Sequence, residues 1–311
     1  QRQMCIRDRT MSLHSRLYHS VGLFVVISLS GCQPIDSDTT TLTQRPSLPP
    51  VLDGFSVESW YLPDDNLFGF VKIPSGPFRM GADQTLDSQA FENERWSPSA
   101  SQGIVDLEDF YISRSEVTIA QFASFVDNTG AQVSTAALTG NPDHPVTSVS
   151  WPEALAYCRW LQTVLSTSES TPGELQALFQ DGWRVTLPNE AQWEKAARGT
   201  DGRTYPWGNT PRPDAANYNA STTRPVGRGP CDSCPYDLSD MAGNVWELTR
   251  SRYRPYPFTE TPTLDLTTDA LFVMRGGSYA DGANLVRTTT RGGADPGVRR
   301  PFIGFRVAIT R

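Results

Sequence analysis

Short alternating apolar runs open the folded part of the chain. Phe70-Val71-Lys72-Ile73-Pro74 and Phe78-Arg79-Met80-Gly81 are split by Ser75-Gly76-Pro77, which predicts a β-hairpin. The spacing then becomes helical, and three helices mark their own starts with a side chain at the N-cap and another three residues on, able to satisfy the free amides of the first turn. Thr118-Ile119-Ala120-Gln121 opens the first, with Phe122, Phe125 and Val126 facing inward and Gly130 as the stop. Ser150-Trp151-Pro152-Glu153 opens the second, where Trp151, Leu155, Cys158 and Leu161 recur at helical spacing and put Cys158 on the buried face. No His shares that stripe, so Cys158 reads as a small core residue and not as a nucleophile. Asn189-Glu190-Ala191-Gln192 opens the third, with Trp193, Ala196 and Ala197 inside and Gly199 as C-cap. Beyond Gly199 come short aromatic and Gly/Asn/Pro segments, which build no long strands. They predict an α+β domain in which much of the chain is ordered loop held by local staples.

Composition narrows the classes. Of 311 residues 38% are hydrophobic and 20% charged, the balance of a globular protein. Acidic residues outnumber basic ones 34 to 27, for a net charge of −7, which argues against a nucleic-acid partner because phosphate backbones are held by Lys and Arg. One domain is expected over residues 66–311.

The residues before it read as an address. Residues 11–31 carry Arg16, an apolar run from Val21 to Leu29 and then small residues, the pattern of a secretion signal too short to span a bilayer. Leu29-Ser30-Gly31-Cys32 resembles a bacterial lipobox, in which Cys32 receives the lipid after cleavage, and several acyl chains on one residue suffice for stable anchoring. Gln33 after the cysteine favours the outer membrane or cell surface. Residues 1–10 fit no part of a signal and are read as a doubtful leader, whereas residues 32–65 form a Thr/Ser/Pro-rich tether. In an oxidising compartment Pro230-Cys231-Asp232-Ser233-Cys234-Pro235 reads as a small disulfide loop. A redox pair would call for a helix N-terminus, and zinc for four ligands.

The phrases FVKIPSGPFRMG, SEVTIAQFASFV, HPVTSVSWPEALAYCRWL, WRVTLPNEAQWEKAARG, YPWGN, YDLSDMAGNVWEL, MRGGS and IGFRVA, in this order, resemble the sulfatase-modifying-factor family, the formylglycine-generating-enzyme-like domain. The resemblance runs from about residue 70 to Arg311 and implies a single C-type-lectin-like α+β domain with little regular secondary structure. Founding members oxidise a sulfatase cysteine with two cysteines that hold copper, at the third and eighth positions after the serine of GGS; here those positions are Asp281 and Val286. Neither supplies the soft thiolate that Cu(I) selects, so copper and the oxidase reaction are not expected. A second branch uses non-haem iron in a His cluster, which His144 alone cannot form. The resemblance also implies calcium, with Asp240 and Glu247 side chains and the Gly243 and Val245 carbonyls as ligands, and a second ion site beginning at Asn217 and the Tyr218 carbonyl.

Toward the C-terminus Arg275, Arg287, Arg291, Arg299, Arg300, Arg306 and Arg311 face only Asp281 and Asp295. They either pair with carboxylates elsewhere in a loop-rich fold, or some, with Arg275, Arg287 and Arg291 as candidates, line a cleft beside Ser278, Tyr279 and Asp281 and take an anionic peptide, a glycan or a lipid head group. Ser278, Tyr279 and Asp281 are the candidates for any residual catalysis, against a plainer role for Asp281 in capping the turn after GGS. The expected function is an envelope-anchored, calcium-stabilised binding or accessory module with the membrane or an envelope protein as partner; the alternative is a protein-modifying oxidoreductase using the same cleft.

Overall fold

The two opening runs become strands, but of different sheets. In the computed structural model, β1 (Phe70–Ile73) pairs antiparallel with β4 (Phe110–Ser113), whereas β2 (Gly76–Met80) pairs with β3 (Gly103–Leu107) in a two-stranded ribbon. The expected hairpin is therefore corrected. Gly76, at φ 113°, turns the chain out of the first sheet, and the buried Lys195 ammonium donates to the carbonyls of Pro74 and Gly76 at 2.6 and 2.8 Å. These carbonyls thus find a side chain where a hairpin would have offered a strand. The structure describes Phe55, residues 65–228, Cys231, residues 233–258 and residues 270–311; the leader, secretion signal, Cys32 and nearly all of the tether lie outside them.

The helices follow the capping signals. In α1 (Ile119–Thr129) Thr118 and Gln121 exchange side-chain and backbone hydrogen bonds at 3.1 and 2.9 Å, and Gly130 ends the helix at φ 67°. Phe122 and Phe125 are buried, and Val126 packs half-buried against the same core. In α2 (Trp151–Thr167) Glu153 accepts from the Ser150 amide at 2.7 Å. The Trp151 ring stacks on Phe272 at 4.1 Å and its indole donates to the Thr249 carbonyl, docking the helix on the second sheet, with Cys158 buried in the same cluster. A further helix, α3 (Gly173–Gln180), was not expected; its N-cap is Pro172, which offers no capping side chain. Strand β5 (Arg184–Thr186) leads into α4 (Glu190–Arg198), capped by Asn189 and Gln192 as the sequence predicts.

The loop-rich half carries more strand than expected. β6 (Trp246–Arg252), the longest strand described, lies in a sheet of order β8-β7-β6-β9 with β7 (Phe272–Arg275), β8 (Arg291–Ala294) and β9 (Ile303–Gly304), the last running parallel to β6. The chain then returns to the first sheet, where β10 (Ala308–Thr310) sits between β4 and β5. All four residues of β4 are buried, as a strand covered on both faces must be.

Candidate functional site

Every residue of α4 is buried, its charges included, because the helix threads between the sheets and collects arginines from the C-terminal segment. Arg275 donates to Glu194 and to the carbonyls of Thr288, Thr289 and Thr290. Arg291 grips Glu190 with Nε and Nη2 at 2.6 and 2.9 Å beneath the Tyr256 ring, and Arg287 forks onto Glu94 at 2.6 and 2.7 Å while also reaching Asp87. Each of these guanidiniums is 5% exposed or less. Of the two readings of the arginine excess, pairing inside the domain is the one the geometry supports, and Arg275, Arg287 and Arg291 do not line an anion cleft: every guanidinium nitrogen among them except Arg275 Nε has a partner in the interior, where buried charges must be paired.

The GGS segment is built as a turn. Gly276 and Gly277 take φ 95° and 70°, and a Cβ on Gly277 would meet the Leu285 carbonyl at 2.6 Å. The next residues are stitched from both sides. The Ser278 amide and hydroxyl donate to Asp281 Oδ2 at 2.9 and 2.7 Å, the Trp246 indole donates to the same oxygen at 2.8 Å, and the Tyr279 amide donates to the Asn244 carbonyl. The Tyr279 and Asp281 carbonyls accept from Ala220 and Asn219. Asp281 thus caps the turn, and the Ser278 hydroxyl, 1% exposed, faces a carboxylate and not solvent.

Val286 is fully buried among Tyr205, Trp207, Ala216, Tyr218 and Ala242. Cys231 packs half-buried against this cluster but is bonded to Cys234, and Cys158 lies in a different cluster, where burial pushes its thiol up. Among the described residues no two free thiols exist to share a copper ion, so the residues present do not fit that group.

The Asp240–Glu247 segment coils through three left-handed residues, Asp240, Gly243 and Asn244 at φ 57°, 78° and 61°. Gly243 lies against the main chain of Asn217, and Asn244 is the hub. Its amide donates to the Asn217 carbonyl at 2.8 Å, its Oδ1 accepts from Asn217 and from the Arg224 amide, and its Nδ2 donates to Glu116 at 3.1 Å. The fold therefore brings Asn217, which the resemblance assigns to a second ion site, against the Asp240–Glu247 segment, while the Tyr218 ring belongs to the aromatic cluster.

The two expected carboxylate ligands already have partners. Glu247 accepts from the Trp193 indole at 2.6 Å and from Arg306 Nε and Nη2 at 2.6 and 2.7 Å, and Asp240 accepts from Arg224 and the Gly227 amide at 3.1 and 2.8 Å. Among the described residues no three His, Cys, Asp or Glu side chains gather so as to hold a metal ion. Hard oxygens are the right chemistry for calcium, but of the expected ligands Asp240, Gly243, Val245 and Glu247 both carboxylates carry an arginine, and a set so paired does not fit a divalent ion.

Sequence reasoning missed four of the residues that organise this centre: Glu116, Trp193, Arg224 and Asn244. Glu116 is 1% exposed, and its Oε2 has no hydrogen-bond partner. Burial, then the neighbouring Asp240 and Glu247 charges, push its carboxyl well above the usual carboxylate range, against the opposing pull of Arg306. Beside it a cavity lined by Ser113, Ser115, Gln121 and Tyr157 has room for about one water molecule. Only the phrase Ser115-Glu116-Val117-Thr118 hinted at this residue, and alternation alone does not tell a buried Glu from a surface one.

Comparison with known proteins gives the same outline. A family described as the sulfatase-modifying factor enzyme 1-like domain matches residues 62–311. Hercynine oxygenase of Mycolicibacterium smegmatis is 30% identical over 286 residues, which cover 76% of this chain and 60% of that protein. The formylglycine-generating enzyme of Streptomyces coelicolor is 28% identical over 306 residues, covering 77% and 88%. Among solved structures, PvdO from Pseudomonas aeruginosa superposes with a TM-score of 0.63 at 22% identity, covering 78% of this chain and 94% of that one, a likeness of fold.

Proposed function

Because the chain belongs to the family of sulfatase-modifying factor enzyme 1-like domains, we propose that it keeps the family scaffold without copper-dependent oxidase chemistry and works as an envelope-anchored binding or accessory module. One observation carries this reading: the two positions that hold cysteines in the founding pattern are here a turn-capping carboxylate, Asp281, and a buried hydrocarbon, Val286. Neither delivers or accepts an electron. A sulfatase-type peptide containing cysteine, incubated with the purified protein, Cu(I) and oxygen, should keep its mass. Conversion of the cysteine to formylglycine refutes the reading.

The likeness to hercynine oxygenase supports the rival, an oxygenase. His144, however, bonds Thr223 and Asn141 and stands in no cluster of metal-ligating side chains among the described residues. Redox metal at one per chain after purification would favour that rival.

The address at the amino terminus supports the anchored part. Lipid on Cys32 would tether the domain to the envelope, in the outer membrane or at the cell surface, and leave it facing a partner there. A labelled fatty acid fed to cells should mark the wild-type protein and not Cys32→Ser; equal labelling would remove the anchor from the proposal.

A further inference from the structure

The centre around Asn244 disagrees with the calcium that the family resemblance implies. We infer that Arg306 and Arg224 supply from within the chain the positive charge such an ion would bring, so that this domain holds its Asp240–Glu247 segment without a metal.

Arg306 is the stronger case. It is 0% exposed, and all five of its N–H donors are placed: Nε and Nη2 on Glu247, Nη1 on the carbonyls of Ser113 and Arg114 at 3.1 and 3.2 Å, and Nη2 again on the Ser239 carbonyl at 2.9 Å. The guanidinium thereby joins the end of β4 to the residue before Asp240 and the start of β6, which lie over a hundred positions further along the chain. Binding separate loops to one central charge is what a structural ion does, and here a side chain does it. An ion at Glu247 would have either to sit against a guanidinium that repels it or to displace that guanidinium and strand its donors in the interior.

Arg224 repeats the arrangement on the other carboxylate. Its Nη2 reaches Asp240 at 3.1 Å, while its amide and carbonyl hold the two ends of the Asn244 side chain. Charge bookkeeping agrees: the carboxyls of Glu116, Asp240 and Glu247 against Arg224 and Arg306 leave at most one negative charge, less than a divalent ion carries.

The test uses the full chain in detergent. Its melting temperature in millimolar calcium and in EDTA should agree within about 1 °C, because a ligand that does not bind the native state shifts nothing. Terbium should give no luminescence sensitised by tryptophan, although the Trp193 indole lies against Glu247. A calcium-dependent rise of several degrees, or strong terbium emission, overturns the inference. Arg306→Gln should lower the melting temperature by at least about 6 °C in EDTA or fail to fold. A variant that melts with the wild type would show that the guanidinium braces nothing.

Discussion

Glu190→Ala should cost the domain about 3–5 kcal/mol, a large part of a typical folding free energy. Glu190 is 0% exposed at the first turn of α4, and its two oxygens take Arg291 Nε and Nη2 at 2.6 and 2.9 Å and the Tyr256 hydroxyl at 2.9 Å. Truncation leaves the Arg291 charge in a pocket walled by the Tyr253 and Tyr256 rings, where water cannot follow it. The destabilisation comes from the abandoned charge more than from the lost bonds. Replacing both partners, Glu190→Leu with Arg291→Met, should therefore destabilise less than Glu190→Ala alone. Urea unfolding of the single and double variants measures this. A single variant within 1 kcal/mol of wild type, or a double variant worse than the single, would show that the pair is wetter than its geometry implies.

Gly243→Ala is the second large effect, about 3 kcal/mol or more, and it comes from the backbone. Gly243 sits at φ 78°, where a Cβ would lie 2.3 Å from the Asn217 carbonyl oxygen and 2.9 Å from its carbon. Neither atom is the end of a flexible side chain, so one of two main-chain segments has to move. The movement breaks the bonds that Asn244 makes to Asn217 and that the Gly243 amide makes to the Gly276 carbonyl, and so reaches the GGS turn. Hydrogen exchange should show faster amides at Asn244 and Tyr279 than in the wild type. Unchanged exchange together with an unchanged urea midpoint would mean that the close approach is easily relaxed.

What the chain announces in advance is local. The capping pairs at Thr118/Gln121, Ser150/Glu153 and Asn189/Gln192 lie within one turn of their helices, so adjacent residues suffice to read them. α3 escaped because Pro172 starts it without a capping side chain. The hairpin was misread because the turn residues at Ser75-Gly76-Pro77 serve equally for a change of sheet, and what decides between the two is Lys195, over a hundred positions away. The turn-capping role of Asp281 was legible in its spacing from Ser278, but the Trp246 indole that completes it was not. Charge partners were the least legible. Arg287 finds Glu94 across 193 residues and Arg306 finds Glu247 across 59, and an excess of arginine at one end of a chain carries no record of which acids it will meet. That is why a paired interior and a charged cleft looked alike in the sequence.

β10 completes the first sheet from between β4 and β5, and the guanidiniums that neutralise Glu94, Glu190 and Glu247 come from residues 275–306, as does Arg275, which joins Arg198 on Glu194. A nascent chain that has reached β6 consequently holds Glu94, Glu190 and Glu247 without counter-charges and its opening sheet without a middle. The interior therefore cannot settle before residues 275–310 have joined it.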